Sequence, residues 1–123
     1  MIKKLHEARD GDEIEFWGTG KPLRQQLYID DLVDIIPKLI DEHNTDIPLI
    51  VSPDENISID EMINIFLKNI NKEVTITYNG FLEGQFRKDG SNERFKKLFG
   101  DYKFTNFKDG IRETHEWYIR HVL

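Results

Sequence analysis

Trp17 and Arg24 lie seven residues apart in the segment EIEFWGTGKPLRQQLYIDD, and their chemistry suits an anionic ligand. Alternating side chains point the same way in a strand, so we expect Arg24 to share one face with Gln26 and Tyr28. A guanidinium makes charge-assisted hydrogen bonds to a diphosphate, and an indole offers a flat apolar surface. On composition alone, a packed Trp17 and a surface Arg24 are the simpler interpretation.

A second group of charges lies in the segment over residues 81–91, which is predicted to be a loop. It contains Glu83, Arg87 and Lys88. One interpretation is a binding loop that brings cations to an anion. The other is a solvated charged loop, because exposed charges contribute little to stability and need no special function.

Gly18-Thr19-Gly20 resembles the start of a dinucleotide-binding loop, but its context does not fit one. A phosphate-binding loop runs from a strand into a helix whose amide groups meet the anion, and it carries a third glycine. Here a proline and a second predicted strand follow. The pattern therefore predicts a plain turn, and no cofactor site.

The remaining polar residues predict no catalytic residue and no metal site. His115 and His121 are six residues apart, so they do not share a helical face at the i, i+4 spacing of metal ligands. The other two histidines have no acidic or histidine partner at ligand spacing. Asp30-Asp31 is a paired acid, and capping the next helix is the simpler explanation for it.

Composition narrows the function classes. The chain has 123 residues and no cysteine, which fits one domain without disulfides and agrees with a cytoplasmic location. Its 17 basic and 23 acidic residues give a net charge of −6, which argues against binding nucleic acid by phosphate neutralisation. No apolar run approaches the length needed to cross a membrane, so no membrane partner is expected.

The pattern along the chain predicts a mixed α+β fold. The expected elements are a short helix over 1–9, strands over 13–17 and 23–29 joined like a hairpin, a helix from 30 or 31, a doubly buried strand over 48–51, a helix over 59–70, a strand over 73–78, and helices over 92–99 and 106–123. Pro37 is expected to kink or break its helix. Ser58 and Glu61 form a predicted capping box.

The segment WGTGKPLRQQLYIDDLVDII resembles the W-G-T-G-x-P-x-R-x-x-x-x-x-D-D segment of the extended short-chain dehydrogenase/reductases. The resemblance is closest to the GDP-L-fucose synthases and continues through GQFRKDGSNERFKKLFGDYKFTNFKDGIRETHEWY. It implies that Trp17, Arg24 and Lys4 contact a nucleotide-sugar. EGQFRK is similar to the family's D-G-T-P-R-K loop, which implies that Glu83 and Lys88 approach the nucleotide, with Glu in place of Asp.

The resemblance covers only the carboxy-terminal portion of such an enzyme. In the family, an amino-terminal Rossmann domain carries the Gly-x-x-Gly-x-x-Gly loop for NADP and a Tyr-x-x-x-Lys pair, and neither pattern occurs here. The chain alone is therefore expected to bind no cofactor and to catalyse nothing. The intact enzyme would epimerise a 4-keto-6-deoxy sugar and then reduce it with NADPH.

The implied fold is a single substrate-binding lobe over residues 1–123, with the 49–51 strand as a remnant of the Rossmann sheet edge. The implied partners are a nucleotide-sugar, with a GDP-sugar favoured, and a Rossmann domain or separate subunit. An unpaired apolar edge over 49–51 would also favour a homo-oligomer. Two alternatives stay open: a fragment of a UDP- or dTDP-sugar epimerase or dehydratase, and a non-catalytic module that regulates or scaffolds a partner.

Overall fold

A computed structural model describes all 123 residues as a mixture of helices and short strands. The helices are α1 (Ile2–Glu7), α2 (Ile29–Glu42), α3 (Ile59–Ile70), α4 (Glu93–Phe99) and α5 (Phe107–Val122). The strands are β1 (Glu13–Phe16), β2 (Leu23–Arg24), β3 (Ile57–Ser58), β4 (Thr75–Tyr78) and β5 (Arg87–Lys88). The predicted mixed α+β composition is confirmed.

The strands form two separate small sheets. β1 pairs in parallel with β4, while β2 lies between antiparallel β3 and parallel β5. The predicted alternation in β1 is confirmed, because Ile14 and Phe16 pack against the core while Glu13 and Glu15 are exposed. The predicted hairpin is wrong, because β1 and β2 belong to different sheets.

The second strand is shorter than predicted and ends at Arg24. Its neighbours β3 and β5 have two residues each, so no ladder is available beyond that point. Gln25 instead uses its side-chain amide to donate to Pro53 O at 2.9 Å and to accept from Gly90 N at 2.9 Å. Tyr28 packs against Gly110. The predicted strand face shared by Arg24, Gln26 and Tyr28 is therefore wrong.

Residues 48–51 form no strand, so the predicted remnant of a Rossmann sheet edge is wrong in this chain. A strand needs ladder partners, and no other segment pairs here. Side chains bond the flanking carbonyls instead: Arg94 Nη1 donates to Pro48 O at 3.3 Å and Asn92 Nδ2 to Ser52 O at 2.8 Å. Ile50 is 46% exposed, so the run is not doubly buried.

The acidic pair at the start of α2 has a different role from the one predicted. Tyr28 is the N-cap, and no side chain caps the helix. Asp31 is buried and accepts from Thr105 N and Thr105 Oγ1, both at 2.8 Å, so it joins α2 to the segment before α5. Pro37 lies inside α2 without ending it, so the expected break does not occur.

Helix α3 begins as predicted. Ser58 Oγ accepts from Glu61 N at 3.1 Å, and Glu61 Oε2 accepts from Ser58 N at 3.0 Å, which completes the capping box. The first amides of α3 donate to the turn after β1: Ile59 N to Pro22 O at 3.1 Å and Asp60 N to Gly20 O at 2.9 Å. The turn and the helix are therefore fixed to one another.

The core lies between α1, α3 and α5, with the β1–β4 sheet packed against it. It consists of Leu5, Ile63, Phe66, Leu67 and Ile111. Burial of such side chains is the main force that holds these short elements together. None of the helices combines the length and the apolar character that crossing a bilayer takes.

Two histidines far apart in the sequence meet at the α1–α5 contact. His6 Nδ1 lies 2.9 Å from His115 Nε2, so the rings share one proton in a hydrogen bond. Phe66 meets His115 edge to face, and Lys72 Nζ bonds the backbone carbonyls of His6 and Ala8 nearby. Burial, followed by the nearby His6 and Lys72, lowers the pKa of His115 below 6.5.

Because of the contact between His6 and His115, we expect the folded protein to lose stability as the pH falls. Because the folded pKa of His115 is lowered, the unfolded chain binds the extra proton, so the contribution is complete above pH 6.5 and is lost as the pH falls below it. His115→Gln should therefore flatten the fall in unfolding free energy between pH 7.5 and about pH 5.5, measured by urea denaturation. His121→Gln, on the same helix but exposed, is the control. An unchanged slope in His115→Gln would contradict the assignment.

Gly20 holds the turn after β1 against β4. Its φ is +73°, and a Cβ there would lie 2.5 Å from the Tyr78 ring. Tyr78 Oη donates to Asp60 Oδ1 at 2.8 Å, so the ring cannot move away freely. Burial and this hydrogen bond raise the pKa of Tyr78 far above its usual value. Only glycine fits both the backbone angle and the space.

Gly20→Ala should therefore destabilise the fold more than Gly80→Ala. Both positions have φ +73°, but a Cβ at Gly80 meets nothing within 4 Å, so the difference isolates the contact with Tyr78. We expect Gly20→Ala to lower the unfolding free energy by about 1–3 kcal/mol more than Gly80→Ala, the usual cost of overpacking. Urea denaturation measures the unfolding free energy of both variants. Equal losses would show that the Tyr78 ring moves aside at no cost in free energy.

Candidate functional site

A cavity of about 120 Å³ opens where the turn after β1, the loop after β4 and the start of α3 meet. Trp17, Arg24, Leu82 and Glu83 are among its lining residues, and Ile59 closes one side. Trp17 follows directly on β1, while Arg24 is the last residue of β2. Two different sheets therefore supply the two residues that sequence analysis singled out.

The turn over residues 18–20 shapes this cavity. Gly18 and Gly20 have φ values of +76° and +73°, which glycine adopts at little cost. The loop after β4 binds the turn through the backbone, with Gly18 N donating to Phe81 O at 2.8 Å and Gly80 N to Gly18 O at 2.9 Å. The next element is the strand β2, so the predicted plain turn is confirmed.

Arg24 is half-buried with its guanidinium beside the cavity. Nη1 donates to Leu23 O at 2.6 Å, and no carboxylate of the chain lies within ion-pair distance. A Cβ at Gly84 would lie 3.7 Å from Nη2, so the backbone of the loop after β4 passes close to the cation. The remaining N–H groups of Arg24 are available to an anionic ligand.

Trp17 lies open to solvent, with 71% of its surface exposed. The interpretation of Trp17 as a packed core residue is therefore wrong. Leu82, which also lines the cavity, is exposed, and so are Phe81 and Phe86 in the same loop, so the loop after β4 presents apolar side chains to solvent. Leu82 has a φ of +56°, which is uncommon for a residue with a side chain. An anion with an apolar portion would match this combination of one cation and exposed rings.

Glu83 reaches the turn over residues 18–20. Its Oε1 accepts from Thr19 N at 3.0 Å and also from the Thr19 hydroxyl. A Cβ at Gly18 would lie 3.4 Å from the same oxygen, so the carboxylate lies directly against the turn. The acid that the resemblance places near the nucleotide is therefore engaged with the chain itself.

Arg87 and Lys88 form β5, so the predicted loop contains a short strand. The β2–β5 ladder places Arg24 in register with Lys88 and Leu23 with Arg87. In-register residues of parallel strands point to the same face, so the two cations are neighbours on the sheet. Lys88 is exposed and does not line the cavity beside Arg24, while Arg87 pairs with Asp89.

Lys4 lies beside β1, away from the cavity lining. Its ammonium donates to Glu15 O and lies 4.9 Å from the centre of the Phe16 ring. The structure thus brings together Trp17, Arg24 and Glu83, sets Lys88 next to Arg24 on the sheet, and leaves Lys4 and Arg87 outside the cavity.

Sequence reasoning missed two residues of the cavity region. Thr19 contributes through its contact with Glu83, and Leu82 lines the wall in a left-handed conformation. No pattern in the sequence signals either of them, because both depend on the loop after β4 meeting the turn after β1. The Gly-x-Gly pair predicts a tight turn at residues 18–20, but not which loop packs against it.

A larger groove of about 730 Å³ lies elsewhere, between the loop after α1 and the end of α3. Both charge signs line it: Lys68 and Lys72 face Asp10 and Glu73. Lys72 is already bonded to the carbonyls of residues 5, 6 and 8. The groove is mostly polar and carries both charge signs, whereas the cavity at Arg24 combines a cation that has no acidic partner with exposed apolar side chains, so the smaller cavity is the better candidate for an anion with an apolar portion.

Comparison with known proteins agrees with this architecture. A putative GDP-L-fucose synthase of Arabidopsis thaliana is 29% identical over the whole chain, which covers 38% of that relative. A probable GDP-L-fucose synthase of Drosophila melanogaster is 30% identical over 97% of the chain and 40% of the relative. The chain therefore spans about two fifths of the curated relatives it matches.

Solved structures show the same fold. A GDP-L-fucose synthetase from Naegleria fowleri superposes with a TM-score of 0.89 at 25% identity, covering 98% of this chain and 38% of the other. A structure of that enzyme bound to NADP gives 0.90. Residues 1–65, more than half of the chain, match the model of the NAD dependent epimerase/dehydratase family. This chain, similar over its length to part of GDP-L-fucose synthases, belongs to the NAD dependent epimerase/dehydratase family.

Proposed function

We propose that this chain is the nucleotide-sugar-binding lobe of a GDP-L-fucose synthase-like enzyme. The observation that carries the proposal is the guanidinium of Arg24, which has no acidic partner and lies at a cavity beside the exposed indole of Trp17. A cation without a counter-ion is costly to hold half-buried unless a ligand completes it. A diphosphate supplies the charge, and the sugar or base supplies a surface for the rings.

The register of β2 and β5 supports a diphosphate in particular. Arg24 and Lys88 are paired Cα to Cα across the ladder, so two cations on one face are neighbours. The backbones of neighbouring strands lie about 5 Å apart, so the long side chains of both residues start close enough to reach two linked phosphates. Arg87 and Lys4 already have partners within the chain, so we place them at the edge of the ligand.

The size of the cavity supports a role as one lobe of a larger site. Its volume of about 120 Å³ is below the roughly 300–1,000 Å³ of typical small-molecule pockets. A nucleotide-sugar on this surface would stay largely uncovered, so another protein surface must close over it. The rest of the enzyme, which corresponds to about three fifths of the relatives' length, is the natural source of that surface.

We assign the chain to the carboxy-terminal part of such an enzyme on the strength of the W-G-T-G-x-P-x-R segment. The Gly-x-Gly of this segment leads into strand β2, whereas a dinucleotide loop leads into a helix. NADP and the groups that move protons and hydride would come from the other lobe. The task of this lobe is to hold the sugar so that its reacting carbon meets the nicotinamide.

One face of α2 supports docking of that second lobe. Ile29, Val33, Ile36 and Ile40 recur at helical spacing and are all exposed, Ile40 by 75%. A row of exposed aliphatic side chains on one helix is typical of a surface that another protein covers. We assign this face to the dinucleotide-binding lobe, supplied either within one longer chain or as a separate subunit.

Ligand binding tests the proposal directly. GDP and a GDP-sugar at millimolar concentration should raise the melting temperature of the chain, because a ligand that binds only the folded state stabilises it. Arg24→Gln should weaken GDP binding about tenfold in calorimetric titration, the usual loss for a charge-assisted contact. Arg120→Gln removes an arginine from the surface of α5 and is the matched control.

Different outcomes separate the alternatives. Tighter binding of UDP or dTDP than of GDP would assign the lobe to another nucleotide-sugar epimerase or dehydratase. If no nucleotide shifts the melting temperature, the binding proposal fails and a non-catalytic module that contacts partners through α2 becomes the better account.

The exposed face of α2 should also cause self-association when the second lobe is absent. Sedimentation velocity at rising protein concentration should show a growing dimer fraction, and Ile40→Lys should abolish it because a charge on the face opposes its burial. Val122→Lys places the same charge on an exposed apolar residue at the end of α5 and should leave the distribution unchanged. A strictly monomeric chain, or equal effects of both variants, would contradict the assignment of the α2 face.

A further inference from the structure

We propose that Asn79 is a deamidation site that the folded chain keeps closed. It is the only asparagine of the chain that precedes a glycine, and it follows directly on β4, where the loop after β4 begins. Asparagine before glycine deamidates readily, because glycine has no side chain to hinder the approach of its nitrogen to the asparagine carboxamide. This inference does not depend on the proposed nucleotide-sugar site.

The reaction needs only water and base. Gly80 N gives its proton to base and attacks Asn79 Cγ, so a new N–C bond closes a succinimide ring, and the carboxamide nitrogen takes up a proton and leaves as ammonia. Water then opens the ring at either carbonyl carbon, which gives aspartate or isoaspartate with no oxidation or reduction. Gly80 is exposed and Asn79 is half-buried, so water reaches both residues.

Three hydrogen bonds hold the reacting groups in the folded chain. Gly80 N donates to Gly18 O at 2.9 Å, so the nucleophile is engaged with the turn over residues 18–20. Asn79 Oδ1 accepts from Phe81 N at 3.0 Å, and Asn79 Nδ2 donates to Glu15 Oε1 at 3.2 Å. Because both ends of the carboxamide are bonded in its plane, it cannot turn its face toward Gly80 N until these bonds open.

The start of the loop after β4 must therefore detach from the turn before the reaction can occur. This movement is local, because β4 itself stays paired with β1 and that sheet packs on the core. Local opening of a loop costs less free energy than unfolding of the whole domain. The rate of deamidation in the folded chain should thus report how often the loop that carries Leu82 and Glu83 to the Arg24 cavity opens.

Deamidation would weaken the contact between this loop and the turn. An aspartate at position 79 has no N–H to donate to Glu15, and it places a second carboxylate beside the first, where like charges repel. An isoaspartate adds a carbon to the backbone directly before Gly80 N, so the hydrogen bond to Gly18 O cannot keep its geometry. Either product therefore leaves the loop less firmly attached than in the unmodified chain.

Peptide mapping by mass spectrometry measures the rate. Trypsin cleaves after Lys72 and Arg87, and the peptide over residues 73–87 changes in mass when the amide group is replaced by a hydroxyl. The full chain is incubated at mildly alkaline pH, both folded and unfolded in guanidinium chloride. We expect deamidation to be at least about tenfold slower in the folded chain, and to be insensitive to low denaturant because local opening exposes little surface.

Three results would overturn the inference. An unfolded chain that does not deamidate in this peptide would show that Asn79 is not a site. Equal rates in the folded and unfolded chain would show that the hydrogen bonds do not close it. A rate that follows global unfolding at every denaturant concentration would show that the loop does not open by itself.

A matched pair of variants tests the closure. Glu15→Ala removes the partner of Asn79 Nδ2 and should speed deamidation of the folded chain about threefold to tenfold, the usual worth of one hydrogen bond, with no effect on the unfolded chain. Glu13→Ala changes the other exposed glutamate of β1, which has no hydrogen bond to Asn79, and is the control. Equal rates in the two variants would contradict the closure.

The expected effect of the product is tested with Asn79→Asp. This variant should lower the melting temperature by about 2–4 °C, since it exchanges a hydrogen bond to Glu15 for repulsion. Adding Glu15→Gln should restore most of the loss, because the glutamine amide donates to the new carboxylate. An unchanged melting temperature, or a loss that Glu15→Gln does not restore, would contradict the proposed weakening of the loop.

Discussion

The contact between Gly20 and Tyr78 is the constraint on which the site depends. The two small sheets share no strand, so something else must fix one against the other. Tyr78 ends β4 and packs on Gly20, its hydroxyl bonds Asp60, and the backbone N–H of Asp60 bonds Gly20 O. These three residues close a ring of contacts between one sheet, the turn and the start of α3. The positions of Trp17 and Arg24 follow from this ring.

This arrangement explains why the first amides of α3 are not a phosphate site. A helix N-terminus attracts anions when its N–H groups point into open space. Here Ile59 N and Asp60 N donate to carbonyls of the turn, and Glu61 N is capped by Ser58. The proposed ligand would therefore be bound by side-chain cations, because the first backbone N–H groups of α3 are already hydrogen-bonded to the turn.

Features that depend on neighbours in sequence were predictable, and those that depend on distant partners were not. The Ser58–Glu61 capping box and the alternation in β1 need only a few adjacent residues, and both are present as predicted. Whether residues 48–51 become a strand depends on a pairing partner, which this chain does not supply. Local sequence predicts that Asp31 caps α2, but its partner Thr105 lies 74 residues away.

The candidate site shows the same division. Residue types and the family resemblance singled out Trp17 and Arg24, and the structure places both at one cavity. The partner of Glu83 could not be predicted, because Thr19 is 64 residues distant and its pairing exists only once β1 and β4 align. The contact between His6 and His115 was likewise not predictable, because the two residues are 109 positions apart and meet only when α1 packs on α5.

Both helix α2 and the candidate site indicate that this chain needs a further protein surface. Its inward face buries Ile35 and Asp31, while its outward face exposes four aliphatic residues. The apolar side chains of α2 form one wide stripe on the helix, and only the part of it around Ile35 is buried in this chain, so the exposed part is typical of a surface that another protein covers. The cavity at Arg24 is likewise too small to enclose a nucleotide-sugar. Both surfaces are incomplete in the way expected of one lobe, and a single additional lobe that covers α2 and closes over the ligand would complete them together.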